Sequence, residues 1–228
     1  PTPSSEALNM VCQVIANENL HLLFADVKAA FAQSDKLARP RGRLFVEPCD
    51  GVPVEKGDLI ELVQPVYGLD DAPLRWFETV TRFLRSMGLR KSLLDPCVYV
   101  QHNEHNELVL LILIEVDDFI VAAKDEKIQQ EAKDKLMSRF RFGKWEVGEA
   151  DFIGRHIKKE GNEIRMDQEK YIIEKMEAVH LSKGRRSNKD APLQEEEFKD
   201  FRSMLYRASW LAHQTRPEAS GEIGRAHV

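Results

Sequence analysis

Two adjacent carboxylates interrupt the most apolar stretch of the chain. Residues 108–123 read LVLLILIEVDDFIVAA, with Asp117 and Asp118 set between two runs that suit buried strands. The pair therefore falls in the tight turn of a hairpin, where acids are ordinary turn chemistry. The apolar flanks argue for more, because they put this turn beside a core or a cleft. Glu115 adds a third acid within four residues. Carboxylates this close repel and raise one another's pKa. A divalent cation removes that cost, and Mg²⁺ accepts one or two carboxylates together with substrate phosphates. Asp26 closes another apolar run, LLFADV. A lone strand-end Asp serves as a cap or an ion-pair partner in many proteins. Beside Asp117 and Asp118 it would complete the three-carboxylate cluster that two-metal phosphoryl transfer needs.

The elements that must carry these residues follow from periodicity. Residues 4–19 predict a helix, with Ala7, Leu8, Val11, Val14 and Ile15 on one face and Ser4 or Ser5 as cap. Residues 20–27 predict a strand ending at Asp26, and 28–33 a short helical turn. A basic loop at 39–43 precedes two strands, 44–47 and 59–63. Asp71-Ala72-Pro73 reads as a helix start, and Gly88 ends the run that carries Leu74, Phe77, Val80, Phe83, Leu84 and Met87. Strands are predicted at 97–101, 107–115 and 119–123, then a helix over 125–140. Residues 152–157 and 163–166 flank a Gly161-Asn162 turn as a hairpin. Helices at 171–180 and 196–213 enclose a polar, basic, mobile connector at 183–192. Hairpins and helices alternate without the β-α-β rhythm of a parallel sheet, so the class is α+β.

Composition sets the outer limits. Of 228 residues 43% are hydrophobic and 31% charged, which excludes disordered and fibrous classes. The longest apolar run, 108–114, is far short of the ~20 residues of a spanning helix, so no membrane partner is expected. No basic-then-apolar leader opens the chain, and Cys12, Cys49 and Cys97 lack disulfide or metal spacing. These features point to an intracellular protein. The net charge of −5 conceals basic clusters: Lys36, Arg39, Arg41 and Arg43; Arg82, Arg85, Arg90 and Lys91; Arg139, Arg141 and Lys144; Lys183, Arg185, Arg186 and Lys189. They are solvated surface unless the fold gathers them along one cleft as a phosphate track.

The ordered segments FADVKAAF, VYGLDDAPLRW, DPCVYV, LILIEVDDFIV, DFIGRHI, DQEKYI and FRSMLYRASWLAHQTRPE resemble the reverse transcriptase domain of Ty1/copia-type retrotransposons, from about residue 5 to 219. The resemblance implies a polymerase palm, a ferredoxin-like antiparallel sheet with helices. Residues 1–168 would form partial fingers plus palm, and 169–221 a helical, thumb-like segment. It implies an RNA-directed DNA polymerase that uses two Mg²⁺ or Mn²⁺ ions, a primed RNA or DNA template and deoxynucleoside triphosphates. The rest of a Pol polyprotein, integrase upstream and ribonuclease H downstream, would accompany it, in a cytoplasmic particle or the nucleus. Asp26, Asp117 and Asp118 would be the catalytic metal ligands, with the Val27 carbonyl beside them. Phe31 would close the sugar 2′ side, although a core phenylalanine is the competing reading. Tyr67, Gly68, Ala72 and Pro73 would lie along template and nucleotide, with Trp76 a helix-packing aromatic. Phe152, Ile153, Gly154 and Arg155 would grip the primer end, and Lys144 would be a proton donor to pyrophosphate.

Departures from the family pattern supply the alternative. Glu115 stands where an aromatic is usual, Asp70 and Asp71 where Lys and Gln are common, Ala32-Gln33-Ser34 for Leu-Asn-Gly, and Tyr206-Arg207 for Gly-Ser. The triphosphate-holding fingers and the ribonuclease H are expected outside this chain. Residues 222–228 read as a foreign, adapter-derived tail. A truncated or decayed element that keeps the palm and at most binds nucleic acid fits the same features. A palm of this kind could also serve another nucleotidyl chemistry such as cyclisation. His102 and His105 span four residues but sit in a hairpin turn without further ligands.

Overall fold

A computed structural model describes residues 1–36, 42–55, 57–177, 183–188 and 191–221. Arg39 and Arg41 of the basic loop, Lys189, the last three residues of the helix expected to reach residue 180, and the tail 222–228 lie outside them. The elements in chain order are α1 (Ser5–Asn17), β1 (His21–Val27), a 3₁₀ turn (Ala30–Gln33), β2 (Phe45–Val46), β3 (Ile60–Glu61), α2 (Ala72–Ser86), β4 (Arg90–Lys91), β5 (Val98–His102), β6 (Leu108–Glu115), β7 (Asp118–Ala123), α3 (Glu126–Arg139), β8 (Phe142–Val147), β9 (Glu149–Phe152), β10 (Arg155–Glu160), β11 (Glu163–Asp167), α4 (Glu169–Lys175), α5 (Lys183–Ser187) and α6 (Glu195–Gln214). The class is α+β. No described helix is long and apolar enough to cross a membrane.

The chain forms two units. One comprises Pro1–Glu149 with Lys159–Ile164, the other Ala150–Lys158 with the chain from Arg165 onward.

In the first unit an antiparallel sheet runs β4-β5-β6-β7-β1-β8. Strand alternation divides its apolar residues between two faces. One face carries Leu23, Ala25 and Val27 of β1, Phe119 and Val121 of β7, and Ile112 and Ile114 of β6. They share a buried core with Trp76, Val80 and Leu84 of α2 and Ala132 and Leu136 of α3. The opposite face buries Leu22, Phe24, Leu111, Leu113, Ile120 and Ala122, each at 3% exposure or less. Strands buried on both faces read as unbroken apolar runs, which is why β6 and β7 are legible as a continuous stretch.

The ends of α1 and α2 differ from each other. The Ser4 hydroxyl accepts from the Ala7 N–H at 3.1 Å, as its position predicts. Ser4 also donates to Asp95 Oδ2, and Asp95 Oδ1 accepts from the Cys97 N–H, tying the start of α1 to the loop before β5. Pro73 opens α2, but the Asp71 side chain makes no capping bond and lies 3.5 Å from Arg75 instead.

The structure differs from these expectations in two places. The stretch 152–157 is not one strand: Ile153 and Gly154, both at positive φ, turn the chain between β9 and β10. Positive φ at both central residues is the signature of one favoured two-residue hairpin connection, the type I′ turn. Strands β4 and β8 are additional, and β8 forms an edge of the main sheet beside β1. The connector after residue 183 begins with a single helical turn, α5.

Candidate active site

Register builds the site. In the β1–β7 pair Asp26 lies directly opposite Asp118, and in the β6–β7 pair Glu115 lies directly opposite Asp118. Opposite residues of an antiparallel pair share a face. Three carboxylates therefore stand in one row across β6, β7 and β1, at the end of the sheet and on the face turned away from α2 and α3. Asp117 follows in the turn, where its carbonyl accepts the Val27 N–H at 2.8 Å. Asp26 is exposed, whereas Glu115, Val116, Asp117 and Asp118 are half-buried.

The row is electrostatically strained. Burial first, then the Asp117 and Asp26 carboxylates, push Asp118 up to about 6. Burial, then Asp118 and Asp117, push Glu115 up to about 7. The Glu115 Oε2 atom is buried and makes no hydrogen bond. Among the described residues no three His, Cys, Asp or Glu side chains are gathered closely enough to enclose an ion. What the fold brings together is the backbone positions. Drawing the side chains onto one point is a repulsive cost that a cation would offset. Hard carboxylate oxygens at adjacent register positions, one of them an orphaned buried oxygen, fit Mg²⁺ or Mn²⁺.

Gly143 was not among the residues singled out from the sequence, yet it shapes the site. The β1–β8 register slips between Ala25 and Val27, and Gly143 falls in that irregularity. A Cβ there would sit 2.9 Å from Asp26 Oδ2 and 3.6 Å from the Asp26 carbonyl. An alanine is accommodated only if the carboxylate moves. Glycine inside a strand is the available signal of such close approach. Gly143→Ala is expected to leave stability within about 0.5 kcal/mol, since only a side-chain end must shift. It is expected to weaken Mn²⁺ binding severalfold, read by titration calorimetry. Lys144 follows in the same irregularity, exposed and paired with Glu146.

The remaining expected residues of this unit lie on flanking loops. Phe31 is 9% exposed on the 3₁₀ turn, and its ring centroid is 4.7 Å from that of Tyr67. It is thus buried on one side while Tyr67, at 65% exposure, covers it. Gly68 is exposed at positive φ, and Pro73 is exposed at the start of α2. Trp76 is 2% exposed, and its indole N–H donates to the Val116 carbonyl. Arg82 and Arg139 both pair with Asp35, so these two cations of the basic clusters are already engaged.

The expected primer-contact residues lie in the second unit. Phe152 and Arg155 are buried at 2% and 1% exposure. The Arg155 Nε donates to Gln214 of α6 at 2.8 Å, so this guanidinium faces the interior of its unit. Ile153 and Gly154 form the hairpin tip, and Trp210 lies 3.4 Å from where a Cβ on Gly154 would be.

Known proteins match this chain over most of its length. The family profile described as "Reverse transcriptase (RNA-dependent DNA polymerase)" covers residues 1–192. The Retrovirus-related Pol polyprotein from transposon TNT 1-94 of Nicotiana tabacum is 26% identical over 190 residues, covering 81% of this chain and 14% of that protein. The Retrovirus-related Pol polyprotein from transposon RE2 of Arabidopsis thaliana is 22% identical over 185 residues, 79% of this chain and 12% of that protein. The Transposon Ty1-BL Gag-Pol polyprotein of Saccharomyces cerevisiae is 24% identical over 191 residues, 79% of this chain and 10% of that protein. The chain thus spans 10–14% of the length of these curated relatives. With the profile spanning both the paired-acid hairpin and Asp26, and with Pol polyproteins as its relatives, the chain belongs to the reverse transcriptase (RNA-dependent DNA polymerase) family, in the form carried by copia-type transposons.

Proposed function

We propose that this chain is the polymerising part of a copia-type Pol polyprotein, extending a primer on an RNA or DNA template. The observation that carries the reading is the register that sets Asp26 across from Asp118. In this reading Asp26, Asp117 and Asp118 hold two Mg²⁺ or Mn²⁺ ions, with the Val27 carbonyl as a further ligand. Ions bound there lower the pKa of a primer 3′-hydroxyl and screen the charge of the triphosphate.

The chain's own contribution is positional. Strand pairing fixes the backbone positions of the acids before substrate arrives, so only their side chains are left to reorganise. Phe31, backed by Tyr67, closes the sugar 2′ side of the incoming deoxynucleotide, and Gly68 and Pro73 lie along nucleotide and template. Ile153 and Gly154, at a tip shaped by buried Phe152 and Arg155, meet the primer. Lys144 delivers a proton to the departing pyrophosphate. Residues 1–168 act as partial fingers and palm and 169–221 as a thumb-like segment, with integrase upstream and ribonuclease H downstream in the polyprotein.

The test is extension of a labelled primer on RNA and on DNA templates with Mg²⁺ or Mn²⁺. Extension that disappears in Asp117→Asn is the expected result. A folded wild type that binds primed template yet adds no nucleotide with either metal overturns the proposal.

A further inference from the structure

The turn that carries the paired acids has an unusual residue in an unusual conformation. Val116 sits at φ +51°, between the end of β6 and the start of β7. A β-branched side chain in the left-handed region is strained, at about 1–3 kcal/mol. The chain does not relieve this with glycine, so something else must hold the turn.

Two bonds hold it, one from β1 and one from α2. The Asp117 carbonyl accepts the Val27 N–H at 2.8 Å, which ties the turn to β1. The Val116 carbonyl accepts the Trp76 indole N–H at 2.5 Å, which ties it to α2. The second bond is placed where it matters. In a two-residue connection between paired strands, the peptide joining the two central residues is the one that can flip between turn types. Here those residues are Val116 and Asp117, and the carbonyl of that peptide belongs to Val116. A donor on that oxygen selects one of two orientations and so sets the direction in which the chain enters Asp117.

Trp76 is well suited to act as a fixed donor. It is 2% exposed, so its N–H has little competition from water. Its ring meets Phe140 edge-on with centroids 5.1 Å apart and planes at 73°. Pro73, three residues earlier, sets the first turn of the same helix. The helix face that buries Trp76 also buries Val80 and Leu84 in the sheet core, so the indole cannot move without disturbing α2.

We infer that Trp76 is a positioning residue: its indole N–H locks the central peptide of the Val116-Asp117 turn and thereby aims Asp117 and Asp118. The inference rests on the proposed polymerase function for its kinetic consequence, but not for its geometry. The test compares the wild type with Trp76→Phe, which keeps an aromatic ring in the core and removes the donor. The readouts are primer-extension kinetics, Mn²⁺ titration and hydrogen exchange of the indole N–H followed by NMR. The Trp76 indole proton is expected to exchange slowly in the wild type. Folded Trp76→Phe is expected to lose about 10- to 100-fold in kcat, the scale of an ångström-level misplacement, with KM for the deoxynucleotide within about threefold.

A folded variant with wild-type kcat overturns the inference. So does a wild-type Trp76 proton that exchanges like a free indole, a measurement that stands even if the variant does not fold. If the wild type extends no primer, the polymerase reading fails on its own. The lock is then decided by Mn²⁺ affinity, which Trp76→Phe must weaken for the inference to hold.

Discussion

At pH 8 and without divalent metal, Asp118→Asn is expected to melt about 3–6 °C above the wild type while losing primer extension by about 10³-fold or more. Both effects have one cause. In the folded chain Asp118 is pushed up to about 6, by burial first and then by Asp117 and Asp26. Below about pH 4 the folded and unfolded chains both hold this proton, and the residue is neutral to stability. Between pH 4 and 6 the unfolded chain ionises first, so stability falls as pH rises, and above 6 the deficit stays constant. Two pH units correspond to about 2.7 kcal/mol for a fully buried group, and solvent screening of a half-buried one leaves about 1–2 kcal/mol. Glu115, pushed up to about 7, extends the same decline toward neutrality. An asparagine amide carries no charge and escapes the decline, but it is a poor ligand for a hard cation. Melting curves of the two proteins from pH 4 to 8 measure the gap, which must widen with pH. Adding Mg²⁺ must narrow it by stabilising the wild type alone.

Phe119→Ala is expected to cost about 3–5 kcal/mol of stability, lowering the melting temperature by about 10 °C. Phe119 is fully buried in β7, faces Ala25 and Ile114 across the sheet, and meets Phe142 edge-on at 5.6 Å. Its loss removes both the burial of a large ring and an aromatic contact worth about 1 kcal/mol. The cavity would open between two faces of apolar side chains, where neighbouring strands cannot collapse without breaking their ladder. Urea unfolding measures the loss. A cost under about 1 kcal/mol would mean that the sheet core is loosely packed at the residue next to Asp118.

The sequence makes the site's ingredients visible, but not its arrangement. Helix α2 is legible because Pro73 opens it and apolar residues recur at helical spacing until Gly88. Strands β6 and β7 are legible because both of their faces are apolar. Strand β8 is not: FGKWEV has a glycine and two charged positions, and it becomes a strand because β1 offers it an edge. The turn at Ile153-Gly154 is hidden for a related reason, since isoleucine at φ +49° follows no local preference. The row of Glu115, Asp118 and Asp26 depends on a register between distant strands, which no local pattern encodes. Trp76 reads as a packing aromatic from its spacing, and its hydrogen bond to Val116 becomes visible only once helix and hairpin are placed together.

The placement of β1 also governs when the site can come into being. This first strand lies between β7 and β8, so both of its neighbours come from far downstream in the chain. Asp26 must wait for Asp118, and closing so long a loop precedes any reward from the contact. A growing polypeptide therefore carries Asp26 before Asp118, its partner across the sheet, has been made. The row of Asp26, Asp118 and Glu115 exists only after the hairpin of β6 and β7 has been synthesised and has captured β1.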